Sequence, residues 1–234
     1  MEFFSSGAVW GALGAIVAAN ILLSGDNAVV IAMAARSLPH DQQKKAIVWG
    51  SAAAILMRVV LTIAAVRLLQ LPYLKLAGGL ALLYIGVELL TASEDEGSVT
   101  AHGTMAAAIR TILVADLVMS VDNVLAVAGA ADRAPPEARL VLLIIGLGLS
   151  IPLIIAGSTL LMKIMEKFPI IITLGAALLG YLAAEMFVTD PSTHVWFEEN
   201  FPQAELVLGV VCAVGVVVVG HWLHKRHEAA AVGG

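Results

Sequence analysis

Apolar residues in this chain fall into long runs, several of them close to the roughly 20 residues that cross a hydrocarbon layer about 30 Å thick. Short charged or proline-bearing stretches separate them. Reading runs against breaks predicts seven helical spans, near 8–35, 46–66, 72–92, 105–131, 138–162, 168–188 and 204–224. The connectors are Arg36 to Lys45, Arg67 to Pro72, the acidic Ser93 to Thr104, Asp132 to Arg139, Lys163 to Lys167, and Thr189 to Gln203. All are too short for a separate soluble domain. The pattern predicts an all-α polytopic membrane protein.

Composition sharpens this. Of 234 residues, 60% are hydrophobic and 13% charged, against about 25% charged in soluble domains. The partner of this surface is a lipid bilayer. A net charge of −5 without a long Lys or Arg run gives no footprint for nucleic acid. A single cysteine, Cys212, makes no internal disulfide. Met1-Glu2-Phe3-Phe4 lacks the positive region of a secretory signal, so the first apolar run is expected to stay as a span. With the N-terminus outside and the C-terminus cytoplasmic, Arg36, Lys44, Lys45, Arg110, Lys163, Lys167, Lys225 and Arg226 lie inside, against Arg67, Lys75, Arg133 and Arg139 outside. That follows the positive-inside bias. The acidic stretch around Asp190, Glu198, Glu199 and Glu205 then faces outward.

The scarce polar residues repeat. An offset of 96 places Ser24-Gly25-Asp26-Asn27 over Ser120-Val121-Asp122-Asn123, Asn20 over Asp116, and Gly50 over Gly146. One added residue then aligns Pro72 with Pro169, Tyr84 with Tyr181 and Glu88 with Glu185. The first three-helix repeat covers 8–92 and the second 105–188, leaving the seventh helix, 204–225, outside and peripheral. Because each unit has an odd number of spans, the second must cross in the opposite sense. That inverted 3+3 plan puts a substrate site near the midplane where the copies meet.

Asp26 and Asp122 lie near the middle of their spans, where an ionisable group costs at least ~2.5–3.5 kcal/mol and by default lines a bundle interior or wet cavity. Gly25 allows a local break that turns carbonyls toward an ion, whereas Val121 stands at that place in the second copy. On regular helices Asn20, Ser24 and Asn27 share one face, as do Asp116, Ser120 and Asn123, with Asp26 and Asp122 about 120° away. Either the helices are locally distorted or both polar faces look inward. Glu88 and Glu185, each one turn from a tyrosine, suit ligands, protonatable gates or groups reaching for headgroups. Carboxylate and carboxamide oxygens are hard donors that suit Mg2+, Ca2+ or Mn2+. Met33 and Met119 lie near the motifs, where thioethers would favour a softer metal, although methionine more often fills packing gaps. Asp26, Glu88, Asp116, Asp122 and Glu185 face one intramembrane cation, Arg58, so protons or a bound cation must neutralise the remainder. Metal binding should then displace protons. Arg58, with Ile154 at its aligned position, is expected to pair with a carboxylate, either holding helices in register or gating.

Blander roles apply elsewhere. Ser24 and Ser120 are expected to act as helix glue, and His221, His224 and His227 to form a basic membrane-border tail. His102 and His194 are lone loop residues, and Pro152 is expected to kink the fifth span. No His-Glu-x-x-His helix, Gly-x-Ser-x-Gly elbow or Walker loop occurs, which disfavours an enzyme or ATP-driven pump.

In the motifs Ser24-Gly25-Asp26-Asn27-Ala28-Val29-Val30 and Asp116 to Val124, the chain resembles the TerC family of bacterial integral membrane proteins, its YjbE-like branch in particular, over roughly residues 8 to 225. The resemblance implies a seven-helix inner-membrane protein linked to manganese export, with Asp26, Asn27, Asp116, Asp122 and Asn123 as metal residues. Repeat symmetry adds Asn20, Glu88 and Glu185. The expected function is export of a divalent cation, Mn2+ first, as transported substrate. The alternatives are a non-transporting membrane partner for metallation or assembly of exported proteins, and a tellurite-resistance component. A homo-oligomer is compatible with the sequence.

Overall fold

The computed structural model describes residues 7–68, 71–94, 104–131 and 134–232, with helices α1 (Gly7–Leu22), α2 (Gly25–Arg36), α3 (His40–Leu68), α4 (Leu74–Glu94), α5 (Met105–Ala131), α6 (Pro136–Lys167), α7 (Ile170–Thr189), α8 (His194–Asn200) and α9 (Ala204–Val232). Met1 to Phe4, most of Ser93 to Thr104 with His102, Asp132 and Arg133 lie outside the described residues, as do the side chains of Arg67, Asp122 and His227. Among the described residues every regular element is a helix. Parts of α3, α4, α6, α7 and α9 are each long and apolar enough to cross a membrane. A sixth crossing follows if α1 and α2, bent by 49° at their junction, form one span.

The expected first span is therefore not one straight helix. α3 starts at His40, α6 runs unbroken to Lys167 with Pro152 inside it, and α9 continues to Val232, so three helices extend well beyond the apolar runs. Amphipathic or charged turns continue a helix into the headgroup region, where apolar counting stops. The short α8, exposed except for the half-buried Phe197, was not expected; its His194 pairs with Glu198 at 3.5 Å.

Small residues set the packing, because lipid tails give no hydrophobic drive and close backbone approach must supply it. A Cβ at Gly50 on α3 would lie 2.7 Å from Ile112 on α5, and one at Gly146 on α6 would lie 2.5 Å from Ile16 on α1. These contacts exchange with each other under the 96-residue offset. α4 and α7 show the same reciprocity: a Cβ at Gly79 would meet the Ala183 carbonyl at 2.8 Å, and one at Gly86 the Ala176 carbonyl at 3.4 Å. α9 lies against α7 and α4 with only 17% of its apolar window buried, which makes it the peripheral helix.

One acidic residue of the stretch expected on the outer side is buried in the protein. Asp190, just past α7, is wholly buried, whereas Glu198, Glu199 and Glu205 are exposed. Its carboxylate accepts the Tyr73 N–H at 3.1 Å and those of Lys75 and Leu76 at 3.1 and 3.3 Å, donors at the start of α4 that have no partner within their own helix. Tyr73 takes φ 68°, a left-handed conformation rare for an aromatic residue, and Asp190 ties it down. Burial pushes the Asp190 carboxyl up, but hydrogen bonds from Ser192, Tyr73 and Leu76 outweigh it and hold the group below its ordinary value.

Candidate metal centre

The site starts at the break between α1 and α2. Gly25 follows Ser24, whose side chain makes no cap to the helix, and the chain turns by 49°. At the start of α2 the Asp26 carboxylate accepts the Asn27 N–H at 2.8 Å, a favourable place for a negative charge near a helix N-terminus. That bond takes the donor a continuous helix would have given to the Leu23 carbonyl. The freed carbonyl instead accepts both motif asparagines, Asn27 Nδ2 at 3.5 Å and Asn123 Nδ2 at 3.0 Å. One backbone oxygen thus joins the two copies of the motif. With its NH2 held there, Asn27 leaves its Oδ1 buried with no hydrogen-bond partner. A buried, unmatched acceptor is destabilising by about 1–3 kcal/mol unless a cation or donor meets it.

The other polar face of each motif meets Arg58, which is 1% exposed. Its Nη1 donates to Asn20 Oδ1 at 2.7 Å and to Ser24 Oγ at 3.1 Å; Nε donates to Ser120 Oγ at 2.9 Å, and Nη2 donates to Asp116 Oδ1. Each serine hydroxyl also donates to the residue four before it, Ser24 to Asn20 at 3.4 Å and Ser120 to Asp116 at 3.2 Å. Arg58 therefore stands between two repeat-related pairs and binds both. The expected partner carboxylate is Asp116.

Asp26, Asn123 and Glu185 line one cavity of about 230 Å³, together with Met119 and Met186, while Leu23, Leu82 and Leu182 complete its walls. Helices of both repeats contribute. Of the eight residues singled out in the sequence, the structure gathers these three, sets Asn27 beside Asp26 in the chain, and engages Asn20 and Asp116 with Arg58. Glu88 is elsewhere: it is exposed in a separate cleft of about 180 Å³ with Tyr84, Arg110 and Thr111. The side chain of Asp122 is outside the described part of α5. Among the described residues no three His, Cys, Asp or Glu side chains converge on a metal-sized point. The cavity offers instead two carboxylates, a carboxamide and two thioethers.

Met186, one residue beyond Glu185, escaped the sequence, its neighbour being the only signal. The Leu23 carbonyl answers to the break expected at Gly25, but it accepts the two motif asparagines, which the sequence did not foretell. Met33, a thioether candidate in the sequence, packs against Gly175, where a Cβ would lie 2.8 Å from its sulfur.

The chain matches the family described as Integral membrane protein TerC over residues 5–228. It is 45% identical over 185 residues, 79% of this chain and 83% of the relative, to the uncharacterized membrane protein YjbE of Bacillus subtilis strain 168. A second relative, the uncharacterized membrane protein YceF of the same organism, is 24% identical over 229 residues, 94% of this chain and 84% of that one. No solved structure matches. With the match spanning almost every helix and both Asp-Asn motifs, this chain belongs to the TerC family of integral membrane proteins.

Proposed function

We propose that this chain is a secondary transporter that carries a divalent metal cation, Mn2+ foremost, out of the cytoplasm in exchange for protons. The observation that carries the reading is the meeting of Asp26 from the first repeat with Asn123 and Glu185 from the second on a single cavity. Carboxylate, carboxamide and thioether groups make a mixed set of mainly hard donors, better matched to Mn2+ than to Zn2+ or Cu+, which call for clustered Cys or His. The unpartnered Asn27 Oδ1 adds an oxygen in want of a cation.

In this reading α5 supplies a further crossing, giving seven in an inner membrane with the N-terminus outside. The reciprocal contacts of Ile112 with Gly50 and Ile16 with Gly146 support a twofold relation between 8–92 and 105–188, the geometry that lets two bundles rock about a fixed site. Glu185 sits near the outer end of α7 and Glu88 near the inner end of α4, so the two repeat-related glutamates serve opposite ends of the path. Two carboxylates in a low-dielectric cavity cannot both stay charged without a cation, so metal entry displaces protons and proton entry releases metal.

The test is flux in liposomes holding the purified chain. Mn2+ movement should follow an imposed pH gradient and should disappear in Asp26→Asn. A partner that only assists metallation of other proteins would move none, and flux indifferent to the gradient would remove the exchange.

A further inference from the structure

Arg58 binds matched pairs from both repeats, and it does so away from the cavity. Its guanidinium donates to Asn20 and Ser24 on one side and to Asp116 and Ser120 on the other. All five residues are at least 95% buried. An arginine stays charged even there, and Asp116 is the carboxylate it is paired with. None of the five lines the cavity holding Asp26, Asn123 and Glu185. The repeats differ at the positions this charge explains: Asp116 stands where the first copy has Asn20, and Ile154 where it has Arg58. One added cation is matched by one added anion.

We infer that Arg58 is a resident counter-cation: it occupies the oxygen cradle formed by Asn20, Ser24, Asp116 and Ser120, so these four position the two halves against each other and do not ligate the transported ion. The inference rests on the metal-transport reading for its cargo, but not for its geometry. It reduces a doubled motif to one cargo site. With Oδ1 engaged by Arg58 and Oδ2 by Ser120, both Asp116 oxygens are taken up outside the cavity, so the cargo is left to Asp26, Asn123 and Glu185.

The experiment uses the full chain in detergent, with Mn2+ as the probe, read by calorimetric titration and thermal unfolding. Arg58→Gln combined with Asp116→Asn removes both charges and keeps the hydrogen-bonding shape. It should bind Mn2+ within about threefold of the unmodified chain, whereas Asp26→Asn should weaken binding at least about thirtyfold. Ser120→Ala gives a milder variant should the double one not fold: its unfolding midpoint should fall while Mn2+ affinity stays. A folded double variant, or Ser120→Ala, that loses Mn2+ binding as Asp26→Asn does would overturn the inference. Were the unmodified chain itself to bind no Mn2+, the transport reading would fail. The inference would then be decided by coupling: each single charge removal should lower the midpoint by more than the pair does together, and additive effects would overturn it.

Discussion

The two copies of the Asp-Asn motif begin from nearly the same residues and end in different backbones. In the first, Ser24-Gly25-Asp26-Asn27 sits at a 49° break between α1 and α2; in the second, Ser120-Val121-Asp122-Asn123 lies within the single helix α5. The difference begins with one side chain. Glycine weakens a helix interior by about 0.5–1 kcal/mol relative to alanine, and Asp26 then satisfies the exposed Asn27 N–H, so a break becomes affordable on one side only. The consequence is a division of labour: the broken copy provides the Asp26 carboxylate and the Leu23 carbonyl on which both asparagines are anchored, and the straight copy provides Asn123 and the Asp116 carboxylate that pairs with Arg58.

The largest expected effect sharpens that division. Asp26→Asn should lower Mn2+ flux in liposomes by at least about a hundredfold, because it removes a charge that balances the cargo. Asn123→Ala should also cost transport, by about tenfold, since it removes both a cavity oxygen and the bond to Leu23. Equal losses from the two would argue that the copies contribute alike.

Next in size is the packing that holds the halves together. Gly146→Val would drive a side chain into Ile16, and Gly50→Val one into Ile112, each destabilising by about 1–3 kcal/mol. Because the contacts exchange under the repeat, the two variants should lower the unfolding midpoint by similar amounts. A large effect from one and none from the other would break the twofold relation.

Asp190 gives a smaller, pH-dependent effect at the junction between α7 and α4. Its folded value lies below its unfolded one, so its contribution is fully present above the ordinary aspartate range and is lost as pH falls through the folded value. Asp190→Asn should therefore melt earlier than the unmodified chain near neutral pH, by the equivalent of about 1–2 kcal/mol, and the gap should close under strong acid. A gap unchanged with pH would assign the cap to shape rather than charge.

Much of this was legible in the sequence because polar residues are so scarce there. The helical class, the approximate positions of most helices and the pairing of Arg58 with a carboxylate follow from counting and cost. What the sequence left open was direction. In both copies the residues at the first two polar positions turn to Arg58, Asn20 and Ser24 from the broken copy and Asp116 and Ser120 from the straight one, while Asp26 and Asn123 turn to the cavity. Glu88 and Glu185 align in the repeat, yet the molecule places them in different clefts, because a repeat specifies neighbours along the chain and not the state in which the halves meet. Asp190 read as one of several outward acids because nothing local announces a cap for a helix more than a hundred residues away.

Gly25 offers the finest cut between the two copies. A Cβ there would meet nothing within 4 Å, so Gly25→Ala is sterically free and makes the first motif more like the second. If the break plays no part in transport, alanine should fold normally, gain about 0.5–1 kcal/mol from the less flexible unfolded chain, and transport as before. If the break is what frees the Leu23 carbonyl and turns Asp26 into the cavity, alanine should raise the unfolding midpoint while lowering Mn2+ flux severalfold. The two readouts then move in opposite directions. The division of labour between the copies requires that second outcome, since a helix that heals across Gly25 returns the Leu23 oxygen to the Asn27 N–H and leaves both asparagines without their shared anchor.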